Sequence, residues 1–160
     1  MNAIRLVSRT MAETAAEAFS GVGGLYNSGR WHVKGLPIVY AASTLPLAAL
    51  ERLVHFKRTT KIVEHVFYEI DVPDEFIEAP VTMPSGWNGE APAAASQGFG
   101  SRWLRENRSV GLCVPSAIIP THKNLLLNPW HPDFSLKWVT SGPHPFRFDP
   151  RLVASGSAKS

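Results

Sequence analysis

The spacing of apolar positions along the chain changes character several times. Residues 3–7 read as a short strand, and 10–19, rich in Ala and Glu and stopped by Gly21, as a helix. A flexible glycine loop follows, with Gly21, Gly23, Gly24 and Gly29 around Asn27 and Ser28. The β-like runs 31–33 and 38–41 flank Lys34 and Gly35, a spacing that predicts a hairpin. Ser43 or Thr44 then caps a helix with Pro46 in its first turn, running to about Phe56. Within it Leu47, Leu50 and Val54 recur at helical spacing and predict a buried stripe, while Glu51 and His55 share a neighbouring face. Residues 61–72 read as a long strand ending at Pro73, and 74–78 as one helical turn. An exposed loop over 80–92 leads to a helix over 93–105, with Phe99 and Trp103 four apart, and then to buried strands at 110–114 and 124–127. Beyond Asn128 the chain is Pro- and His-rich. Strands and helices alternate irregularly with hairpin-like adjacencies, which predicts an α+β fold rather than a doubly wound sheet. One domain over 1–153 is expected, with 154–160 a frayed tail that has no apolar anchor.

Composition narrows the function classes. A chain of 160 residues makes one domain with a real core. Its single cysteine excludes an internal disulfide and every multi-cysteine metal site, which fits a cytoplasmic setting. The net charge, 16 − 13 = +3, permits an anionic ligand but falls short of a dedicated nucleic-acid surface. The longest uncharged apolar stretch, 36–50, contains Pro37 and Pro46 and is too short to span a membrane. Arg5, Arg9, Glu13 and Glu17 interrupt the N-terminus where a signal peptide would be apolar. The six histidines include no HExxH and Cys113 has no CxxC partner, so no metal is expected, and Cys113 reads as a small buried hydrophobe. The glycine loop lacks the Lys-Ser/Thr ending of a phosphate-binding P-loop, and there is no GxGxxG.

One stretch stands apart, because GLYNSGRWHVKGLPIVYAASTLPLAALERLVH, from Gly24 to His55, places Arg30, Tyr40 and Glu51 on three consecutive elements. It resembles the RES domain, a family of bacterial toxins named for an Arg, a Glu and a Ser. The similarity continues in Val114-Pro115-Ser116 and in Asn128-Pro129-Trp130-His131-Pro132-Asp133-Phe134, and Arg5 resembles part of the family's opening strand. The resemblance implies an ADP-ribosyltransferase-like mixed β core with flanking helices. It also implies that NAD+ is the substrate, cleaved at the nicotinamide–ribose bond with transfer of ADP-ribose to phosphate, water or a protein acceptor. It places Arg30, Tyr40 and Glu51 at the catalytic centre, and Arg30, Tyr40, Ser116, Asn128 and His131 against the NAD+, with no metal. It further implies a cognate helix-turn-helix antitoxin, Xre-like, that occludes the NAD+ pocket and supplies from another chain the control this one has no room for. Most members follow Gly-Arg-Trp with Asn, where this sequence has His32.

The residue types make chemical sense without the family. Breaking an N-glycosidic bond builds positive charge on the ribose, which a carboxylate such as Glu51 stabilises. Arg30 supplies a permanently charged fork for a diphosphate. Tyr40 offers an aromatic face, and Ser116 a short hydrogen bond to ribose or amide. Each has a plainer alternative: an ordinary ion pair for Arg30 and Glu51, a core position for Tyr40, a turn for Ser116 and for His131, a surface position for His55. Trp31 and Trp103 read as core. A competing function is an RNA-binding or RNA-cleaving module built on His55, Lys57, Arg58 and Lys61, although aromatic interleaving at the spacing of an RNA platform is absent.

Overall fold

Seven strands form one mixed sheet in the computed structural model, which describes residues 1–56 and 63–153. In chain order they are β1 (Asn2–Ser8), β2 (Val39–Ala42), β3 (His65–Asp71), β4 (Ile77–Glu78), β5 (Gly111–Pro115), β6 (Lys123–Leu127) and β7 (Val139–Phe146). Their spatial order is β4-β5-β6-β2-β1-β3-β7, antiparallel throughout except for the parallel β4–β5 pair. Among the described residues five α-helices accompany them: α1 (Ala15–Ala18), α2 (Gly23–Tyr26), α3 (Leu45–Leu53), α4 (Ala94–Glu106) and α5 (Pro150–Val153). The expected α+β fold is therefore what the chain adopts.

Alternation along the strands builds two apolar layers. Leu125 and Leu127 of β6 join Val39, Ala41, Tyr68 and Ile70 on the side covered by Ala18 and Phe19. Leu126 faces the opposite side with Trp31, Leu112 and Val114 beneath Trp103 and Leu104 of α4. On that same side Ala42, paired with Asn124 two residues from Leu126, meets Leu47 and Ala48 of α3. Helices α3 and α4 thus lie on the same face of the sheet. Strands β1 and β2 register at one position only, Ile4 opposite Ala42, and separate beyond it. Arg5 bridges the gap, its Nη1 donating to the Tyr40 carbonyl at 3.0 Å and its Nε to the Ala18 carbonyl at 3.2 Å.

Several elements differ from the sequence expectation for identifiable reasons. The helix expected over 10–19 shrinks to one turn because Thr14 caps at Ala15: its hydroxyl accepts from the Glu17 N–H while the Glu17 carboxylate accepts from the Thr14 N–H. Residues 31–33 form no strand. Their backbone is held by side chains instead, with the Val33 N–H on Ser101 Oγ at 3.0 Å and the Trp31 N–H on the Tyr40 hydroxyl at 3.2 Å. The glycine loop contains a helical turn, α2. Strand β7 was not expected at all: Pro143 and Pro145 are tolerated because β7 is an edge strand that pairs with β3 alone. The strand expected over 61–72 is described from His65, and residues 61 and 62, like the tail 154–160, lie outside the described residues.

Two imidazoles sit inside, His32 at 3% exposure and His65 at 1%. Burial pushes both below the ordinary histidine range, and the nearby Arg52 charge lowers His65 further. Above about pH 6.5 both are neutral in the folded and the unfolded chain alike. Below that value the unfolded chain takes up protons that the folded chain refuses, so stability falls, by up to about 1.4 kcal/mol per pH unit for each residue. Melting temperature is therefore expected to drop between pH 7 and pH 5. A His65→Leu chain should show a shallower drop, and an unchanged acid limb would remove His65 from that role.

Candidate active site

Glu51 owes its orientation to the geometry of α3. Thr44 caps the helix, its Oγ1 accepting from the Leu47 N–H at 3.4 Å, and Pro46 sits in the first turn where no N–H is missed. The buried side is centred on Leu47 and Ala48, and one turn later the same side carries Glu51 and Arg52. The expected stripe of Leu47, Leu50 and Val54 is corrected accordingly: Leu50 and Val54 are exposed, at 36% and 59%. The helix ends at Leu53, and His55 lies exposed in the following turn with no bond to Glu51.

One oxygen of the Glu51 carboxylate is held from two sides. Oε1 accepts from Ser116 Oγ at 2.7 Å and from Asn124 Nδ2 at 2.6 Å. Ser116 is fully buried, and its Oγ also accepts from the Ile118 and Ile119 N–H groups, each at 3.1 Å. With both lone pairs engaged, the hydroxyl proton is directed at Glu51. The structure therefore ties Ser116 to the carboxylate, where sequence reasoning had aimed it at a ligand. Asn124 was missed. It is the polar residue in the otherwise apolar run Asn124–Leu127, and on the shared face of β2 and β6 such a residue calls for a partner, which is Glu51. Because both donors converge on Oε1, Oε2 has no hydrogen bond to any described residue.

Tyr40 feels both charges. Its hydroxyl accepts from the Trp31 N–H and meets His32 Nδ1 at 2.8 Å, while His32 Nε2 is 2.9 Å from the Asn27 carbonyl. A carbonyl only accepts, so Nε2 carries the imidazole proton and Nδ1 receives the Tyr40 O–H. Burial holds the Tyr40 hydroxyl well above the ordinary phenol range, and Arg30 and Glu51 act on it in opposite directions. Arg30 and Glu51 are thus each within electrostatic reach of the Tyr40 hydroxyl. Gly29 permits this packing: a Cβ there would come within 2.6 Å of the Tyr40 hydroxyl. His32, which departs from the family's usual Asn, is built into the site as the acceptor for Tyr40.

The Tyr40 hydroxyl is thus fully engaged inside the protein. Tyr40→Phe keeps the ring but leaves the Trp31 N–H and His32 Nδ1 unpaired. It is expected to cost about 1–3 kcal/mol of stability while changing ligand affinity little. Paired denaturant and ligand-binding titrations check this; a loss confined to binding would reassign the hydroxyl to the ligand.

Arg30 is half-buried and donates from Nη1 to the carbonyls of Trp87 and Gly89, at 2.8 and 2.9 Å. Asn128 and His131 are not brought to Glu51. Asn128 follows the far end of β6, about 13 Å of strand from Asn124. Its amide is engaged by Asn107 Oδ1 at 2.7 Å and by the Trp130 N–H at 3.1 Å. His131 Nδ1 accepts from the Asp133 N–H at 3.2 Å, closing a turn. Cys113 is half-buried and its thiol is raised by burial. Among the described residues no three His, Cys, Asp or Glu side chains converge on a metal-sized site. Lys57, Arg58 and Lys61, the core of the RNA alternative, lie outside the described residues.

Relatives are similar to this chain over most of their length. The chain is 37% identical over 144 residues to "Toxin Res" of Yersinia enterocolitica serotype O:8 / biotype 1B, covering 89% of this chain and 95% of that protein. It is also 37% identical over 150 residues to the "Prs ADP-ribosylating toxin" of a Sphingobium species, covering 86% of this chain and 88% of the relative. Among solved structures, the fold is similar to the M. tuberculosis MbcT–MbcA toxin–antitoxin complex. The TM-score is 0.72 over 95% of this chain and 86% of that one, at 16% identity, so this likeness concerns the fold. The RES domain family matches residues 4–149, a span that takes in Arg30, Tyr40, Glu51 and Ser116, and the chain belongs to that family.

Proposed function

We propose that this chain is the toxin of a toxin–antitoxin pair, an enzyme that cleaves NAD+ at the nicotinamide–ribose bond and passes ADP-ribose to an acceptor. The observation that carries the reading is the Glu51 carboxylate, fixed through Oε1 by Ser116 and Asn124, with Oε2 free of hydrogen bonds to the described residues and Arg30 acting on the Tyr40 hydroxyl with the opposite sign to Glu51. Departure of nicotinamide leaves positive charge on the ribose, and a carboxylate whose donors are already in place stabilises it without reorganising. Ser116 and Asn124 act through Glu51 as positioning residues. Arg30 binds the diphosphate, and the Tyr40 ring packs against a ring of the dinucleotide. No metal enters this scheme. Asn128 and His131 are placed to shape the chain beyond β6 and would touch only a distant part of the ligand.

The family and the relative named as an ADP-ribosylating toxin support NAD+ as substrate. The likeness to a chain from a toxin–antitoxin complex supports an antitoxin partner, and we take it to be a helix-turn-helix protein that covers the NAD+ pocket. Among the described residues no helix is long and apolar enough to cross a membrane, and we place the protein in the cytoplasm. The RES domain on this reading occupies 1–153, with 154–160 a tail.

Incubating the purified chain with NAD+, with and without phosphate, tests the proposal by the free nicotinamide released. Labelled NAD+ in a cell extract distinguishes a protein acceptor, which gives a labelled band, from phosphate or water. Absence of both nicotinamide and label would overturn the enzyme reading.

A further inference from the structure

The loop between β4 and α4 does more than cover the surface. Trp87 lies with its ring stacked on Trp31, centroids 6.1 Å apart and planes at 24°, and Trp31 is itself buried to 2% exposure. Two successive turns shape the loop: the Trp87 N–H donates to the Pro84 carbonyl at 3.3 Å and the Gly89 N–H to the Gly86 carbonyl at 3.1 Å. Gly86 has φ +71°, a left-handed conformation that disfavours any side chain. These turns aim the carbonyls of Trp87 and Gly89 at one nitrogen, Nη1 of Arg30, and so use both of its hydrogens. The Nε and Nη2 groups of Arg30 make no hydrogen bond to any described residue. The edge they form is the one that meets two oxygens of a phosphate side by side.

We propose that residues 84–89 are a strap that holds Arg30 by Nη1 so that its Nε–Nη2 edge is presented to the diphosphate of the ligand, with Trp87 as the anchor. The proposal rests on reading the cleft as an NAD+ site. Trp87 touches no ligand in this scheme and acts through Arg30 as a positioning residue. Holding a long side chain in its binding rotamer removes an ordering cost of about 0.5–1.5 kcal/mol, so loss of the strap weakens binding by roughly two- to twelvefold.

Calorimetric titration with NAD+ and with ADP-ribose of four chains, wild type, Trp87→Ala, Arg30→Lys and the double variant, decides the matter. Trp87→Ala is expected to weaken both ligands by that factor and to raise KM with little change in kcat. Trp87→Phe, which can still stack, should restore affinity. In the Arg30→Lys background Trp87→Ala should have no further effect, because the edge it presents is gone. Gly86→Ala, which displaces the strap without touching Trp31, should repeat the Trp87→Ala loss and serves if that variant folds poorly. Unchanged or tighter binding by Trp87→Ala would overturn the strap, tighter binding marking the loop as a lock. An equal loss in the Arg30→Lys background would overturn it too. A wild-type chain that binds neither NAD+ nor ADP-ribose is a separate outcome, which removes the NAD+ reading together with the strap.

Discussion

Glu51→Gln lowers nicotinamide release from NAD+ by about 10³-fold, the loss expected when a placed electrostatic group is removed from the reacting centre, and leaves the melting temperature near that of the wild type. The two outcomes separate because the carboxylate does two jobs with two oxygens. Oε1 receives Ser116 and Asn124, and a Gln carbonyl oxygen in the same place receives them equally well. What Gln lacks is the negative charge that, on the proposed function, faces the ribose. Glu51→Ala is the less informative variant, since it strips both donors of their acceptor in a buried setting and costs about 1–3 kcal/mol for each. Nicotinamide release and thermal melting on the same Gln preparation check the expectation. A Gln chain that turns over NAD+ like the wild type would remove Glu51 from its assigned role; one that fails to fold would show that the charge itself holds the structure.

The sequence carried the polar constellation further than it carried the folding details. Arg30, Tyr40 and Glu51 stand out because the stretch that carries them resembles the RES domain, and in the structure Arg30 and Glu51 both act on the Tyr40 hydroxyl. Asn124 was hidden because a single Asn opening a strand looks like a turn residue until its cross-strand neighbours are known, Ala42 on one side and Val114 on the other. Ser116 was visible, but its direction was not: that depends on two amide donors two and three residues on, which close only in the folded turn. Helix periodicity identified α3 yet chose the wrong side, since Leu47, Leu50 and Val54 share one stripe while the helix buries Leu47, Ala48 and the stems of Glu51 and Arg52. Local pattern ranks apolarity and does not know which polar groups will find partners. Strand β7 was lost for the opposite reason: its prolines speak against a strand in isolation and are admissible only at an edge, a fact of tertiary position.

That division between local propensity and tertiary packing yields the second large expectation, at two glycines two residues apart in the chain's longest helix among those described. Gly98 and Gly100 both lie in α4, where Ala is preferred to Gly by about 0.8–1 kcal/mol. A Cβ at Gly98 meets nothing within 4 Å, so Gly98→Ala is expected to stabilise by about that amount and to raise the melting temperature by about 2–4 °C. A Cβ at Gly100 would sit 2.0 Å from the Trp31 carbonyl oxygen. That backbone has nowhere to go, because the Trp31 N–H is tied to Tyr40, the Val33 N–H to Ser101, and the Gly29 carbonyl accepts from Gln97 Nε2. Gly100→Ala must therefore push α4 off the segment that carries Arg30, at an overpacking cost of about 1–3 kcal/mol or more that outweighs the propensity gain. NAD+ binding should fall with it even though residue 100 takes no part in the proposed site. Melting curves and NAD+ titrations of the two single variants read this directly. Equal effects would mean that propensity alone governs the helix; opposite signs would show that the close approach of α4 to residue 31 is what sets the position of Arg30.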